Sequence, residues 1–135
     1  MSAKPTRELL SPEELHPTPG FSHVAIAQGS RVAYVAGQTA LAPDFSVIGG
    51  DDLRTQTVAA MQNLQVVLQT IGADWDQVVR RTIYTTQPQE YETITSGIEE
   101  VQRSRQHPAQ TIVGITGLAV PGLLIEIEVT VVLDD

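Results

Sequence analysis

At 135 residues, with 41% hydrophobic and 18% charged side chains, the chain can bury one core of its own and is too apolar for intrinsic disorder. Eight Lys+Arg against 16 Asp+Glu give a formal charge of −8, which repels phosphate backbones and anionic bilayers, so neither nucleic acid nor membrane is an expected partner. The absence of cysteine excludes disulfides, thiol catalysis and thiolate metal sites.

Residues 1–17 read as an N-terminal arm and 18–135 as a single domain. Pro5, Pro12, Pro17 and Pro19 crowd the start and favour an extended or loose segment, with at most one helical turn at Ser11-Pro12-Glu13-Glu14. His16 in this arm reads as a solvated histidine. The first 15 residues are mixed-charge and unlike a secretory signal, and no 18-residue apolar run occurs, so the cytoplasm is the expected compartment.

Phe21–Ala27 and Arg31–Ala36 are two short strands, with Gln28-Gly29-Ser30 as the hairpin turn between them. Gly37 follows, where a missing Cβ permits close backbone approach or an unusual φ. After a loop punctuated by Pro43-Asp44 and Gly49-Gly50, Asp51 or Asp52 caps a helix running to about Ile71. Val58, Met61, Leu64, Val67 or Leu68, and Ile71 form its apolar stripe, Gln56, Gln62, Asn63, Gln65 and Gln69 its wet face, and Gly72 its stop. Trp75 is expected to clamp the helix end, and Val78–Thr86 forms a third strand. Pro88 to about Ser104 makes a second helix with a Tyr91, Ile94, Ile98, Val101 stripe, and Arg103 and Arg105 at its negative end.

Two strands joined by Pro121-Gly122 close the chain. In the last, Ile125, Ile127, Val129, Val131 and Leu133 alternate with Glu126, Glu128, Thr130 and Val132, so the two carboxylates share the face opposite the apolar one. The order β-β-α-β-α-β-β predicts an α/β (α+β) fold, a mixed sheet with two helices on one face. The other face is left for a second copy, which makes a symmetric homo-oligomer the economical assembly.

Phosphate-loop, dinucleotide and nucleophile-elbow motifs are missing, and His16, His23 and His107 lie too far apart in sequence for a zinc pattern, so neither cofactor nor metal is expected. What remains is a polar, non-nucleophilic candidate site: Gln110, Thr111, Glu126 and whatever approaches Gly37.

The order of elements, Ala36-Gly37-Gln38 after the second strand, Pro108-Ala109-x-Thr111 and the late Ile125-Glu126-Ile127-Glu128 together resemble the RidA/YjgF family of enamine/imine deaminases, also called endoribonuclease L-PSP. The resemblance spans about residues 18–133. It implies a chorismate-mutase-like fold and a homotrimer with a small-metabolite cleft between subunits. It also implies that Gly37 and Gln38 are cleft backbone and that Glu126 is the glutamate that orients water. Gln110 stands where active members carry a carboxylate-binding arginine, Phe21 where they carry a tyrosine, Thr95 an asparagine and Ile112 a cysteine or other small residue. An amide in place of a guanidinium loses a charge-assisted hydrogen bond of roughly 1.5–3 kcal/mol, about ten- to a hundred-fold in carboxylate affinity. Gln110 is expected instead to meet a neutral amide or carbonyl, donating and accepting at once.

Overall fold

The computed structural model describes residues 7–133. Its strands are β1 (Arg7–Leu10), β2 (Val24–Ala27), β3 (Arg31–Thr39), β4 (Val78–Thr85), β5 (Ala109–Gly114) and β6 (Ile125–Leu133). Helix α1 (Leu53–Thr70) precedes β4, and α2 (Tyr91–Gln102) lies between β4 and β5. The main sheet has the order β3-β6-β4-β5, antiparallel except for the parallel β4/β5 pair. It is therefore mixed, as the element order predicts, and β3 and β5 are its edges.

The expected hairpin between the first two strands does not form. Instead β2 pairs antiparallel with β1, Arg7 opposite Ala27 and Leu10 opposite Val24, while β3 pairs with β6. The turn between them packs against the end of β6. A Cβ on Gly29 would sit 2.4 Å from Val132 Cγ1 and 2.5 Å from the Leu133 carbonyl oxygen, so Gln28-Gly29-Ser30 serves a crossing between sheets. The arm is also tied down from residue 7 onward: the Arg7 guanidinium donates to the carbonyls of Trp75 (3.2 Å), Val78 (2.7 Å) and Gln106 (3.0 Å). Residues 1–6 of the expected arm lie outside the described residues.

Asp52 caps α1 by accepting from the Thr55 N–H at 2.9 Å, and Gly72, at φ +70°, ends the helix in the left-handed conformation that glycine adopts freely. Met61, Leu64 and Leu68 enter the core with Ile94 and Ile98 of α2 and with Ile83, Ile125, Ile127, Val129 and Val131 of the sheet. Trp75 packs at the edge of this core beside Ile71 and Ala73.

The wet face assigned to α1 is wrong at two places. Gln56 is fully buried, and its amide donates to the carbonyls of Gly50 (2.6 Å) and Gly122 (2.9 Å) and accepts from Leu124 N–H (2.8 Å). Asn63 is half-buried and donates to the carbonyls of Thr39 and Leu41. Both glutamine and asparagine here satisfy loop backbone that the sheet leaves unpaired.

Helix α2 starts at Tyr91, later than Pro88, because Gln87–Glu90 form a turn closed by Glu90 N–H to the Gln87 carbonyl (3.1 Å). Its Gly97 faces α1, where a Cβ would lie 2.9 Å from Thr57 Cγ2, so glycine lets the two helices meet closely. Along β6 Ile125, Ile127, Val129, Val131 and Leu133 are buried and Glu126, Glu128, Thr130 and Val132 half-buried, as the period-2 pattern requires. Among the described residues no element covers the sheet face opposite the helices, where Tyr34 is 82% and Val32 48% exposed. No helix among them is long and apolar enough to cross a membrane.

Candidate functional site

The parallel edge strand β5 builds one wall of a cavity. Successive residues on a strand point to opposite faces, so Gln110 and Ile112 turn toward the helix side and Thr111 away from it. The segment entering β2 runs past the start of β5. Ser22 N–H donates to the Pro108 carbonyl (3.0 Å), and the Ser22 hydroxyl donates to the His107 carbonyl (2.7 Å). Between that segment and β5 lies a space of about 320 Å³ bounded by His16, Phe21, Tyr91, Gln110 and Ile112, with Pro17 and Pro19 at its mouth. Thr95 lines a neighbouring hollow that shares Pro19 and Tyr91.

Gln110 is held from behind by Arg81 of β4, a guanidinium only 2% exposed. Arginine can only donate, so the contact with Arg81 Nε fixes the amide orientation: Oε1 turns inward and Nε2 toward the cavity. Nε2 has no hydrogen-bond partner among the described residues. From Nη2, Arg81 donates to the Gly20 carbonyl (3.1 Å) and to His107 Nδ1 (2.9 Å), and from Nη1 to Gln102 Oε1 at the 3.5 Å limit. Since His107 Nδ1 accepts, its proton sits on Nε2 and is donated to Glu99 Oε2 at 2.7 Å. A line of four side chains, Glu99–His107–Arg81–Gln110, thus ends at the cavity. Burial, followed by the Arg7 cation, pulls the Arg81 guanidinium down to about 9, which still leaves it charged at neutral pH. Gln110 Oε1 thus already accepts from Arg81, and the end of the amide turned to the cavity is the Nε2 donor.

Burial first, then the Arg81 cation, push the His107 imidazole below its usual 6.5 despite the bond to Glu99. The unfolded chain then takes up a proton near that value and the folded chain does not. Stability contributed here is complete above pH 6.5 and declines as pH falls below it, until the folded imidazole itself protonates. The unfolding free energy from denaturant titration is expected to drop between about pH 7 and 5.5, by no more than about 1.4 kcal/mol per pH unit. His107→Gln, which keeps an acceptor and a donor, should flatten that slope; an unchanged slope assigns the acid sensitivity elsewhere.

The other residues singled out from the sequence occupy the opposite face of the sheet. Glu126 of β6 stands across from Thr39 on one side and Tyr84 on the other. Gly37 lies at a bulge in β3 between Val35 and Gln38, against Glu126. Thr111 accepts from Arg80 Nη2 at 2.7 Å on that same face. The Tyr84 hydroxyl donates to Glu128 Oε1 at 2.7 Å, a bond that holds the phenol above its ordinary range. Within one chain, then, Phe21, Gln110 and Ile112 come together with Thr95 nearby, whereas Gly37 and Glu126 meet on the opposite face and Thr111 stands apart from them on that face, two strands from Glu126.

Gly37 is needed for its missing side chain: a Cβ there would lie 2.1 Å from Glu126 Oε2 and 2.7 Å from its Cγ. Gly37→Ala is expected to displace the Glu126 side chain from Cγ outward, with some loss of stability, because Cγ as well as the carboxylate must move. Any activity lowered by Glu126→Gln should fall in Gly37→Ala as well, and a variant structure with Glu126 unmoved refutes the contact.

Arg81, His107, Tyr91 and His16 were missed as site residues. For Arg81 the signal is parity. It stands two residues before Ile83 on a strand and so shares that residue's buried face. His16 is exposed, as its polar, proline-rich surroundings suggest, yet its ring packs 5.9 Å from Phe21 at the cavity wall.

The sequence model of the family Endoribonuclease L-PSP matches residues 11–133. The Lactococcus lactis protein AldR is 32% identical over 96 residues, which cover 71% of this chain and 75% of that protein. Among solved structures, the Rid-family protein YyfB of Yersinia pestis superposes with a TM-score of 0.87 at 34% identity, over 95% of this chain and 99% of that one. Rv2704 of Mycobacterium tuberculosis, of the YjgF/YER057c/UK114 family, gives 0.64 at 26% identity over 95% and 100%. A model matched across nearly all of the chain, and a relative of one-third identity with the same fold from end to end, leave one assignment: the chain belongs to the Endoribonuclease L-PSP family, the Rid/YjgF group.

Proposed function

We propose that the cavity beside Gln110 binds a small metabolite and that the protein hydrolyses an imine- or enamine-like bond in it as a homotrimer. The observation that carries this reading is the Gln110 amide, fixed by buried Arg81 so that Nε2 is unpartnered and turned toward a largely apolar space. Glu126 stands on the opposite sheet face of the same chain, so the carboxylate that reaches this cavity comes from a second copy. The uncovered face bearing Tyr34 and Val32 is the surface through which that copy docks. In the reaction, Glu126 orients water and accepts its proton as oxygen adds to the C=N carbon. That proton passes to nitrogen to give a carbinolamine; the hydroxyl proton then follows it to nitrogen through the same carboxylate, the C–N bond breaks, and ketone and ammonia leave. Ammonia release from an α-imino acid generated in situ, above the buffer rate and lowered at least about tenfold by Glu126→Gln, is the expected result. A rate equal to buffer sinks hydrolysis.

A second reading, a ligand-binding protein without chemistry, is favoured by the neutral Gln110 at the position where active relatives are expected to carry arginine. It predicts ligand-induced shifts of cavity resonances with no ammonia release. RNA cleavage, which the family's name mentions, fits poorly with a net charge of −8. Cleavage that persists in a highly purified preparation and in Glu126→Ala revives it.

A further inference from the structure

We infer that Arg81, acting through Gln110, makes the cavity selective for a ligand whose inner end is an oxygen acceptor, a carbonyl or a carboxylate, and disfavours an ammonium end. The inference rests on the reading that this cavity is the ligand site, and it names the chemistry of what enters. Arg81 is a positioning residue here, because Gln110 alone reaches the cavity.

The argument starts from what a guanidinium cannot do. It has five N–H donors and no acceptor, and this one is shut away from water, so its neighbours must all present acceptors. Those it bonds are acceptors: the Gly20 carbonyl, His107 Nδ1, Gln110 Oε1 and, at 3.5 Å, Gln102 Oε1. Were the Gln110 amide to turn over, its NH2 would face Arg81 Nε–H, donor against donor, and a charge-assisted hydrogen bond would be lost. The flipped amide is thereby disfavoured by about tenfold or more. A bond from a cation also polarises the amide and strengthens Nε2–H as a donor. The cavity end of Gln110 is therefore a donor held in one orientation. Phe21, Tyr91 and Ile112 supply walls for a compact apolar body, and the space of about 320 Å³ limits its size.

The same geometry supplies an isosteric test. Gln110→Glu keeps the oxygen that faces Arg81 but replaces the cavity-facing NH2 with a second oxygen, so it converts a donor into an acceptor without changing shape. Three branched probes of similar size are titrated into the full chain, followed by the amide, Tyr91 and Ile112 resonances: isovalerate, 4-methyl-2-pentanone and isoamylamine. The wild type should bind isovalerate or the ketone at least about tenfold more tightly than the amine, and Gln110→Glu should reverse that order. Isovalerate above the ketone points to a carboxylate ligand and the opposite order to a neutral carbonyl; both support the inference. Arg81→Lys keeps the charge but lacks the Nε–H that pins Oε1, and should shrink the preference with the fold intact. A merely structural Arg81 would leave probe preference alone. Probes that bind with no preference, or a preference untouched by Gln110→Glu, overturn the inference while leaving the cavity as a ligand site. If no probe shifts any cavity resonance in either protein, the cavity is not the ligand site and the inference falls with that reading.

Discussion

Gln56→Leu is expected to lower the unfolding free energy by about 2–4 kcal/mol, whereas Gln69→Leu, on the same helix, should change it by no more than about 0.5 kcal/mol. The two substitutions are chemically identical and differ only in what the amide touches. Gln56 is fully buried and holds three backbone groups at once, the Gly50 and Gly122 carbonyls and the Leu124 N–H. Leucine fills the same space but leaves all three without their partner, and each such bond contributes about 0.5–1.5 kcal/mol net. Gln69 is exposed and makes none of these contacts. The groups tethered by Gln56 belong to the loop before α1 and to the turn before β6, so the loss is structural as well as energetic: two connections come free of the helix that pins them. Urea unfolding of both variants decides the matter. Equal midpoints would mean that water replaces the amide at no cost, and the tether would then be incidental.

These two glutamines also show where sequence reasoning stops. Helical period assigns each residue an angle on the helix, and Gln56 lies near the margin of the apolar stripe, where a polar residue reads as solvent-facing. Its burial comes from a turn 66 residues away in the chain, at Gly122, which no local pattern contains. The alternating residues of β6, the cap at Asp52 and the stop at Gly72 are local, and they stand where periodicity and capping chemistry put them. Strand pairing is not local. Val24–Ala27 and Arg31–Val35 are separated by a good turn sequence, yet each finds a different partner, because Arg7 anchors β1 beside the first and the long strand β6 pairs with the second. The site divides in the same way. Phe21, Gln110 and Ile112 share a cavity as the resemblance to the Rid family implies, but the sheet separates them from Glu126 within one chain. Arg81 was legible from parity alone, and two adjacent arginines on a strand simply look like surface charge.

Arg81 changes what restoring the family's arginine should do. From the sequence, Gln110→Arg looks like repair: a guanidinium returns to the position from which active relatives are expected to grip a carboxylate. In this chain the position is already backed by a buried guanidinium whose Nε–H points at Gln110 Oε1. A second arginine removes that acceptor, a charged hydrogen bond of roughly 1.5–3 kcal/mol, and adds like-charge repulsion a few ångströms away. Glu99, the anion of the network, meets Arg81 only through His107, so it neutralises one cation and not two. Gln110→Arg alone is therefore expected to cost about 2–4 kcal/mol, relieved in part by the long side chain swinging into the cavity, and to yield little hydrolysis. The exchanged pair, Arg81→Gln with Gln110→Arg, restores one cation and one amide and moves the charge to the cavity. It should be more stable than the sum of its single variants by at least about 1 kcal/mol, and should release ammonia from an α-imino acid faster than Gln110→Arg does. Urea unfolding of the four proteins gives the coupling directly. A Gln110→Arg variant as stable as the wild type would show that Arg81 and Gln110 do not depend on one another, and the exchanged pair would then have nothing to rescue.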